Sequence, residues 1–259
     1  MDLGLIHLSA EVGLWIGFIV CGVLLVVFRD WRITLPTLLG DYVLLCVLLS
    51  RLPFIPQDLL IGRWATSYLV LVKAINGLTV VGILVVTVVL RRRVHLPESE
   101  RPLDEITAAR LRWAARRVAQ AKPGVRSRLT AYLLPVSSLA ILIAGTYTLA
   151  SLYPLARTPT LPESEFWFYV DLIWYWLGLC GLFNVLFAQE VQEVCVGLLL
   201  CISSVDILYT ILSRSVGLLS IGLLNTVSIL LALGSAYLSL LFYLRLQRWQ
   251  LPSAGEWDS

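Results

Sequence analysis

Lys73 is the residue whose position most directly suggests chemistry, because it is a lone charge within the apolar stretch Tyr68–Leu90. An ammonium group in hydrocarbon is costly, so such a residue usually faces a protein interior and has a partner. The only other lysine, Lys122, lies in a polar segment. Lys73 therefore belongs either to a structural ion pair or to a path for ions or protons.

Other polar side chains within apolar stretches are candidates for the same path. They are Asn76, Asp41, Asp171, Asp206 and Asn225, with Glu190 and Glu193 at the inner mouth of a span. At a rise of about 1.5 Å per residue, Asp206 is the carboxylate best matched in depth to Lys73. Asp171 lies nearer the outer surface, and Asp41 lies in the inner half and matches less well.

A Lys73–Asp206 pair has two interpretations. In a low dielectric each charge changes the proton affinity of the other, which suits a proton relay. A static pair that fixes the register of two helices explains the same residues. Both interpretations stay open at the level of sequence.

The composition indicates the elements that hold these residues. Hydrophobic residues make up 58% of the chain and charged residues 14%, with a mean hydropathy of +0.83, whereas a soluble domain carries about 25% charged residues. A helix needs roughly 20 apolar residues to cross a bilayer. Seven such spans are predicted: Leu8–Phe28, Leu35–Ser50, Trp64–Leu90, Leu129–Leu152, Phe166–Ala188, Val194–Leu212 and Val216–Leu244. Long apolar runs favour helices over barrel strands, so we expect an all-α, polytopic helical membrane protein.

The basic residues predict an orientation. Segment 91–128 is rich in arginine, and cytoplasmic loops accumulate such residues. Counting spans from it predicts an N-terminus outside and a C-terminus inside. We expect the protein to lie in the inner (plasma) membrane. The chain divides into a first three-helix unit (1–90), a basic cytoplasmic loop (91–128), a fourth helix (129–152), and a last three-helix unit with its tail (153–259).

Residues 103–122 of the basic loop have the pattern of an amphipathic helix. Pro102 precedes it and Pro123 follows it, as at helix boundaries. The apolar positions recur at helical spacing: Leu103, Ile106, Leu111, Ala114, Val118 and Ala121. Such a helix lies on an anionic membrane surface or contacts a cytoplasmic partner.

Several classes of site are excluded by the residues present. The only histidines, His7 and His95, lie outside the spans or at their edge, so this chain alone offers no axial ligands for a membrane b-type haem. The five cysteines fall inside apolar spans and form no CxxC pair. No metal-ligand spacing, phosphate-binding glycine loop or nucleophile–base pattern is present. We expect no cofactor, no catalytic residue and no nucleic-acid partner, since the net charge of +3 is explained by orientation signals.

Two stretches resemble known membrane subunits. Asp58-Leu59-Leu60-Ile61, leading through Lys73 to Arg91-Arg92, resembles the E-type membrane subunit of hydrogenase-four and formate-hydrogenlyase complexes. Residues 176–206 look like the C-terminal spans of those subunits, which are similar in turn to the K subunit of respiratory complex I. Leu199 stands where that pattern has a glutamate, and Asp206 stands at one of its asparagine positions.

The resemblance implies a non-catalytic membrane subunit of a complex-I-like or membrane-hydrogenase assembly. Such a subunit packs beside other membrane subunits and helps to couple redox work to proton or ion movement. Lys73 and Asp206 would line or stabilise a polar axis, Glu190 and Glu193 would supply protons at the inner mouth, and the 103–122 helix would contact cytoplasmic partners. The alternatives are a stand-alone seven-helix sensor or small-solute transporter, and a scaffold subunit without a transport role.

Overall fold

The computed structural model describes residues 2–28, 30–52, 59–61, 64–94, 125–156, 165–188, 190–213 and 218–246. Within them lie seven long helices. We name them in chain order α1 (Asp2–Val27), α2 (Trp31–Arg51), α3 (Tyr68–Val94), α4 (Val125–Leu152), α5 (Glu165–Leu186), α6 (Val191–Ser213) and α7 (Leu218–Leu246). All the long elements are helices, as the composition predicts. The 103–122 segment lies outside the described residues.

Five of the described helices are long and apolar enough to cross a membrane. These segments are Trp31–Arg51, Tyr68–Leu90, Phe166–Leu186, Val191–Ser213 and Ile221–Leu241. The described side chains of α1 and α4 form shorter apolar segments, Val12–Val27 and Ser137–Leu152. The structure therefore indicates a multi-pass helical membrane protein.

The region before α3 differs from the prediction that the third span begins at Trp64. Residues Leu59–Ile61 (β1) and Trp64–Thr66 (β2) form an antiparallel hairpin in which Ile61 pairs with Trp64. Hydropathy does not distinguish a short apolar strand from the start of a helix.

Polar side chains fix the starts of α2 and α3. The Asp30 carboxylate accepts a hydrogen bond from the Arg32 backbone N–H at 3.1 Å. The Ser67 hydroxyl accepts one from the Leu69 backbone N–H at 3.2 Å. Both are N-cap interactions, which satisfy a free backbone donor at a helix start. Helix α2 thus begins at Trp31, before the predicted span start at Leu35, and contains Pro36 within the helix.

Helices α5 and α6 form the most extensive helix pair and pack with their backbones in contact. A Cβ atom on Gly181 would lie 2.7 Å from the Gly197 carbonyl oxygen, and one on Gly197 would lie 2.8 Å from the Gly181 carbonyl oxygen. Small residues permit this close approach in membrane helices. Helix α6, which carries Asp206, is thereby held against α5.

Helix α1 is held against α5 by Trp176. The Trp176 indole N–H donates a hydrogen bond to the Phe18 carbonyl oxygen at 3.0 Å. The indole occupies the space beside Gly22, where a Cβ atom would lie 2.3 Å from Nε1. Helix α2 packs against α1 and α3, and α7 packs against α3 and α6. The bundle formed in this way encloses Lys73 and Asp206, which are both buried.

Candidate functional site

Lys73 and Asp206 form a buried salt bridge. Lys73 lies on α3 and Asp206 on α6, and the Lys73 Nζ contacts the Asp206 Oδ2. Their side chains are 1% and 3% exposed, so neither charge is solvated from outside the bundle. The pairing expected from helical depth is present, and it joins residues 133 positions apart in the sequence.

Asp41 on α2 is a second buried carboxyl group near the same ammonium. Asp41 is 1% exposed, and it lies within electrostatic range of Lys73. Neither carboxyl oxygen of Asp41 has a hydrogen-bond partner among the described residues. Its other titratable neighbours include the thiols of Cys21 on α1 and Cys180 on α5. Its depth in the predicted span made Asp41 the poorer partner for Lys73. The packing of α2 on α3 nevertheless brings it within electrostatic range of the ammonium.

Tyr42 forms part of the wall beside Lys73 and is absent from the candidates taken from the sequence. The Lys73 Nζ lies 5.8 Å from the centroid of the Tyr42 ring, within range of a cation–π interaction. The ring packs against α3 at Gly77, where a Cβ atom would lie 2.6 Å from the ring. The signal in the sequence is its position next to Asp41, since adjacent polar residues within an apolar span are uncommon.

Asn76 and Asn225 add two buried amides near this depth of the bundle. Asn76 follows Lys73 by about one turn of α3 and is 2% exposed, and Asn225 on α7 is 5% exposed. Each lies about 10–12 Å from the start of its helix at 1.5 Å per residue. No amide atom of either has a hydrogen-bond partner among the described residues. We call Asp41, Lys73, Asn76, Asp206 and Asn225 the polar layer.

Asp171 has a different setting. Its Oδ1 accepts hydrogen bonds from the Ala156 backbone N–H at 2.9 Å and from the Trp174 indole N–H at 3.0 Å. The Tyr175 hydroxyl donates to the Tyr153 carbonyl oxygen at 3.0 Å in the same region. Asp171 therefore fastens the chain after α4 to the start of α5. These bonds give it a structural explanation that the sequence did not suggest.

Glu190 and Glu193 lie at the start of α6, at the opposite end of that helix from Asp206. The Trp31 indole N–H donates a hydrogen bond to the Glu190 Oε2 at 3.4 Å. Glu193 lines a cavity of about 20 Å³ with Trp31, Thr34 and Asn184 among its walls. From Val191 to Asp206 the helix rises about 22 Å. The two glutamates therefore mark one end of the bundle, while the Lys73–Asp206 pair lies toward the other.

The comparisons with known proteins leave the family open. No family model matches this chain. No curated protein and no solved structure matches it either. The resemblance to E-type hydrogenase subunits accordingly stays a prediction.

The polar layer contains groups that can bind or release protons. Among the described residues, no group of three or more His, Cys, Asp or Glu side chains could hold a metal ion. Leu199, at the position where the resemblance expects a glutamate, is fully buried among apolar side chains. The polar layer consists of one ammonium, two carboxyl groups and two amides. Buried ionisable groups in membrane helices commonly mark proton relays or ion paths.

Proposed function

We propose that this protein is a seven-span membrane subunit that takes part in proton movement through the polar layer. In this proposal it has its N-terminus outside and its C-terminus inside, in the inner (plasma) membrane. It is non-catalytic and belongs to a complex-I-like or membrane-hydrogenase assembly, where redox work drives the proton. The observation that carries the proposal is the buried Lys73–Asp206 pair with a second buried carboxyl group, Asp41, near the same ammonium.

The topology rests on the lengths of the helices and on the charges between them. All seven described helices have 21 residues or more. This length is sufficient for hydrocarbon about 30 Å thick. The basic 91–128 segment supports a cytoplasmic connection between α3 and α4. An odd number of spans then separates the two termini.

The second carboxyl group favours proton movement over a static pair. A static salt bridge between two helices needs one cation and one anion. Any further buried acid costs free energy and does not help to fix the register of the helices. Asp41 is such an acid, and Asn76 and Asn225 supply more polar atoms without partners among the described residues. Polar groups inside a membrane protein persist where function needs them.

A place within a larger assembly is supported by the faces of α3 and α7. Gly82 on α3, and Gly222 and Gly234 on α7, each have open space where a Cβ atom would be. Small residues at the surface of membrane helices allow another helix to pack closely. Large apolar side chains such as Leu78 and Leu230 are more than half exposed on the same two helices. These faces suit lipid together with neighbouring membrane subunits.

Native purification from the source membrane tests the assembly. We expect redox subunits and further membrane subunits to copurify, and proton uptake by inverted vesicles to depend on the redox donor. Recovery as a lone monomer or homo-oligomer would refute the subunit proposal.

Two substitutions in the polar layer distinguish a proton relay from a static salt bridge that fixes the helix register. In Lys73→Met and in Asp206→Asn, an assembled complex that oxidises its donor without proton uptake supports the relay. Loss of assembly in both supports the static salt bridge. Asp171→Asn is the matched control, because it makes the same change at a buried carboxylate of α5 that lies outside the polar layer, and we expect it to keep coupling.

A stand-alone sensor or small-solute transporter is the second candidate, and one cavity favours it. Between α1, α4 and α5 lies an apolar cavity of about 530 Å³, with Trp15, Tyr147 and Trp176 in its wall. Ligand pockets commonly have about 300–1,000 Å³ and are lined mainly by apolar side chains. Saturable binding of an apolar ligand by the purified chain, lost in Ala144→Trp, would favour this candidate.

A further inference from the structure

We infer that Asp41 holds a proton, and that Asp41 and Asp206 exchange the Lys73 ammonium while one proton moves in the opposite direction. The transport role of this exchange rests on the proposed function. The protonated state of Asp41 rests only on the arrangement of charges inside the bundle. Asp41 is thus assigned as the proton-carrying group of the polar layer.

The charge balance of the three buried groups requires a bound proton. Asp41 and Lys73 are each 1% exposed and Asp206 is 2% exposed. One ammonium and two carboxylates would leave a net negative charge in the interior, and an uncompensated buried ion costs several kcal/mol. The other titratable side chains shown to interact with Asp41 are Tyr42 and the Cys21 and Cys180 thiols. None of these is a cation, so within the part of the chain that the structure describes a proton on one carboxyl group is the available compensation.

The contacts decide which carboxyl group carries that proton. Asp206 contacts the ammonium directly, and a carboxylate in direct contact with a cation is the stabilised anion of the three groups. Asp41 has no such contact, and neither of its oxygens has a hydrogen-bond partner among the described residues. The neutral acid is therefore assigned to Asp41 and the anion to Asp206.

Exchange follows from the position and flexibility of Lys73. Its ammonium ends a flexible four-carbon stem, contacts Asp206 and lies beside Tyr42, the residue next to Asp41 on α2. The Tyr42 ring centroid lies 5.8 Å from the ammonium, within the range of cation–π stabilisation. When Asp41 releases its proton, the ammonium pairs with the new Asp41 carboxylate, and the freed Asp206 carboxylate takes up a proton. The three groups carry zero net charge before and after, and one proton has passed from Asp41 to Asp206.

Infrared spectroscopy of the purified protein tests the protonation state, because a protonated carboxyl group has a carbonyl band that a carboxylate lacks. We expect one buried carboxylic-acid band that disappears in Asp41→Asn. It also disappears in Asp206→Asn, although Asp41 is intact there, because Asp41 becomes the anion that pairs with Lys73. In Lys73→Met a second acid band appears, since Asp206 loses its cation. A band that persists in Asp41→Asn, or survives unchanged in Asp206→Asn, overturns the assignment.

Paired substitutions test the exchange by a separate measurement, the yield of folded protein. Each single Asn variant keeps one carboxyl group for Lys73, so each retains folded protein. Asp41→Asn/Asp206→Asn leaves the ammonium without a carboxyl group, and its loss should exceed the two single losses combined. Asp171→Asn/Asp206→Asn is the matched control and should give additive losses. Additive losses in both pairs contradict the exchange.

These results are independent of the assembly. Both measurements use the isolated chain and need no redox partner. The expected bands in a protein that purifies as a lone monomer would refute the proposed function and leave the proton on Asp41 in place. Wrong bands in a chain that copurifies with redox subunits would refute the inference alone.

Discussion

The contact between Gly181 and Gly197 offers a sharp test of the helix packing. A methyl group on Gly181 would lie 2.7 Å from the Gly197 carbonyl oxygen and 2.8 Å from the Cys201 backbone nitrogen. One on Gly197 would lie 2.8 Å from the Val185 backbone nitrogen. Ordinary contact begins at 3.4 Å. Each alanine is thus short of room by more than half an ångström against atoms that cannot rotate away.

The expected magnitude follows from this geometry. Inserting a methylene into a packed interior typically costs about 1–3 kcal/mol. Because the obstructing atoms belong to the backbone, α5 and α6 must move apart and lose contacts along their length, so we expect about 3 kcal/mol for Gly181→Ala or Gly197→Ala. The first substitution already separates the helices. The double variant should therefore cost less than the sum of the two, with a coupling of about 0.5–3 kcal/mol.

Reversible unfolding of the purified protein in detergent micelles, followed by circular dichroism, measures these free energies. Gly82→Ala and Gly234→Ala are the matched controls, because both glycines lie within helices and have open space at the Cβ position. Alanine there should leave the free energy of unfolding unchanged or raise it by up to about 1 kcal/mol, since glycine is the poorer helix former.

Two results would refute this reasoning. If Gly181→Ala and Gly82→Ala changed the free energy of unfolding equally, the α5–α6 backbone contact would not be a determinant of stability. If the Gly181 and Gly197 effects added fully, the two glycines would not share one contact.

Two further predictions concern buried carboxylates. Lys73→Met alone should destabilise the fold by about 3–5 kcal/mol in the same unfolding assay, because Asp206 loses its cation and has to take up a proton inside the bundle, whereas Lys73→Met/Asp206→Leu should recover most of this loss; a double variant as unstable as the single one would contradict that account. Asp171→Ala removes the acceptor for the Ala156 N–H and the Trp174 indole. It should cost about 1–3 kcal/mol and speed limited proteolysis after α4, whereas an unchanged cleavage pattern would argue against the fastening role.

The helices themselves were predictable because long apolar runs indicate segments that are surrounded by hydrocarbon instead of water. Hydrocarbon requires long apolar runs with internally satisfied backbones, and the ends of α4 and α5 fall near those of the expected spans. The hairpin β1–β2 was not predictable in this way. Its short apolar strands look like part of a longer helix when only hydropathy is read, and pairing between strands depends on the chain turning back on itself.

The sequence predicted most of the residues of the site but only part of their arrangement. Charges such as Lys73 and Asp206 stand out in apolar runs, and equal depth identified their pairing because helices have a constant rise. Depth alone could not assign Asp41 or Asp171. Position along a helix does not reveal which face points inward, and rotation about the helix axis decides whether a carboxyl group meets an ammonium or a backbone N–H.

The sequence by itself determined that this chain builds apolar helices and that Lys73 needs a buried partner, because both follow from the cost of polar groups in hydrocarbon. Only the tertiary structure decided that Asp41 and Tyr42 also lie near that ammonium, and that Asp171 fastens the α4–α5 connection instead. Those outcomes depend on how close the helices approach and how each is rotated. Backbone contacts such as that between Gly181 and Gly197 set these quantities, and they join residues distant in the chain.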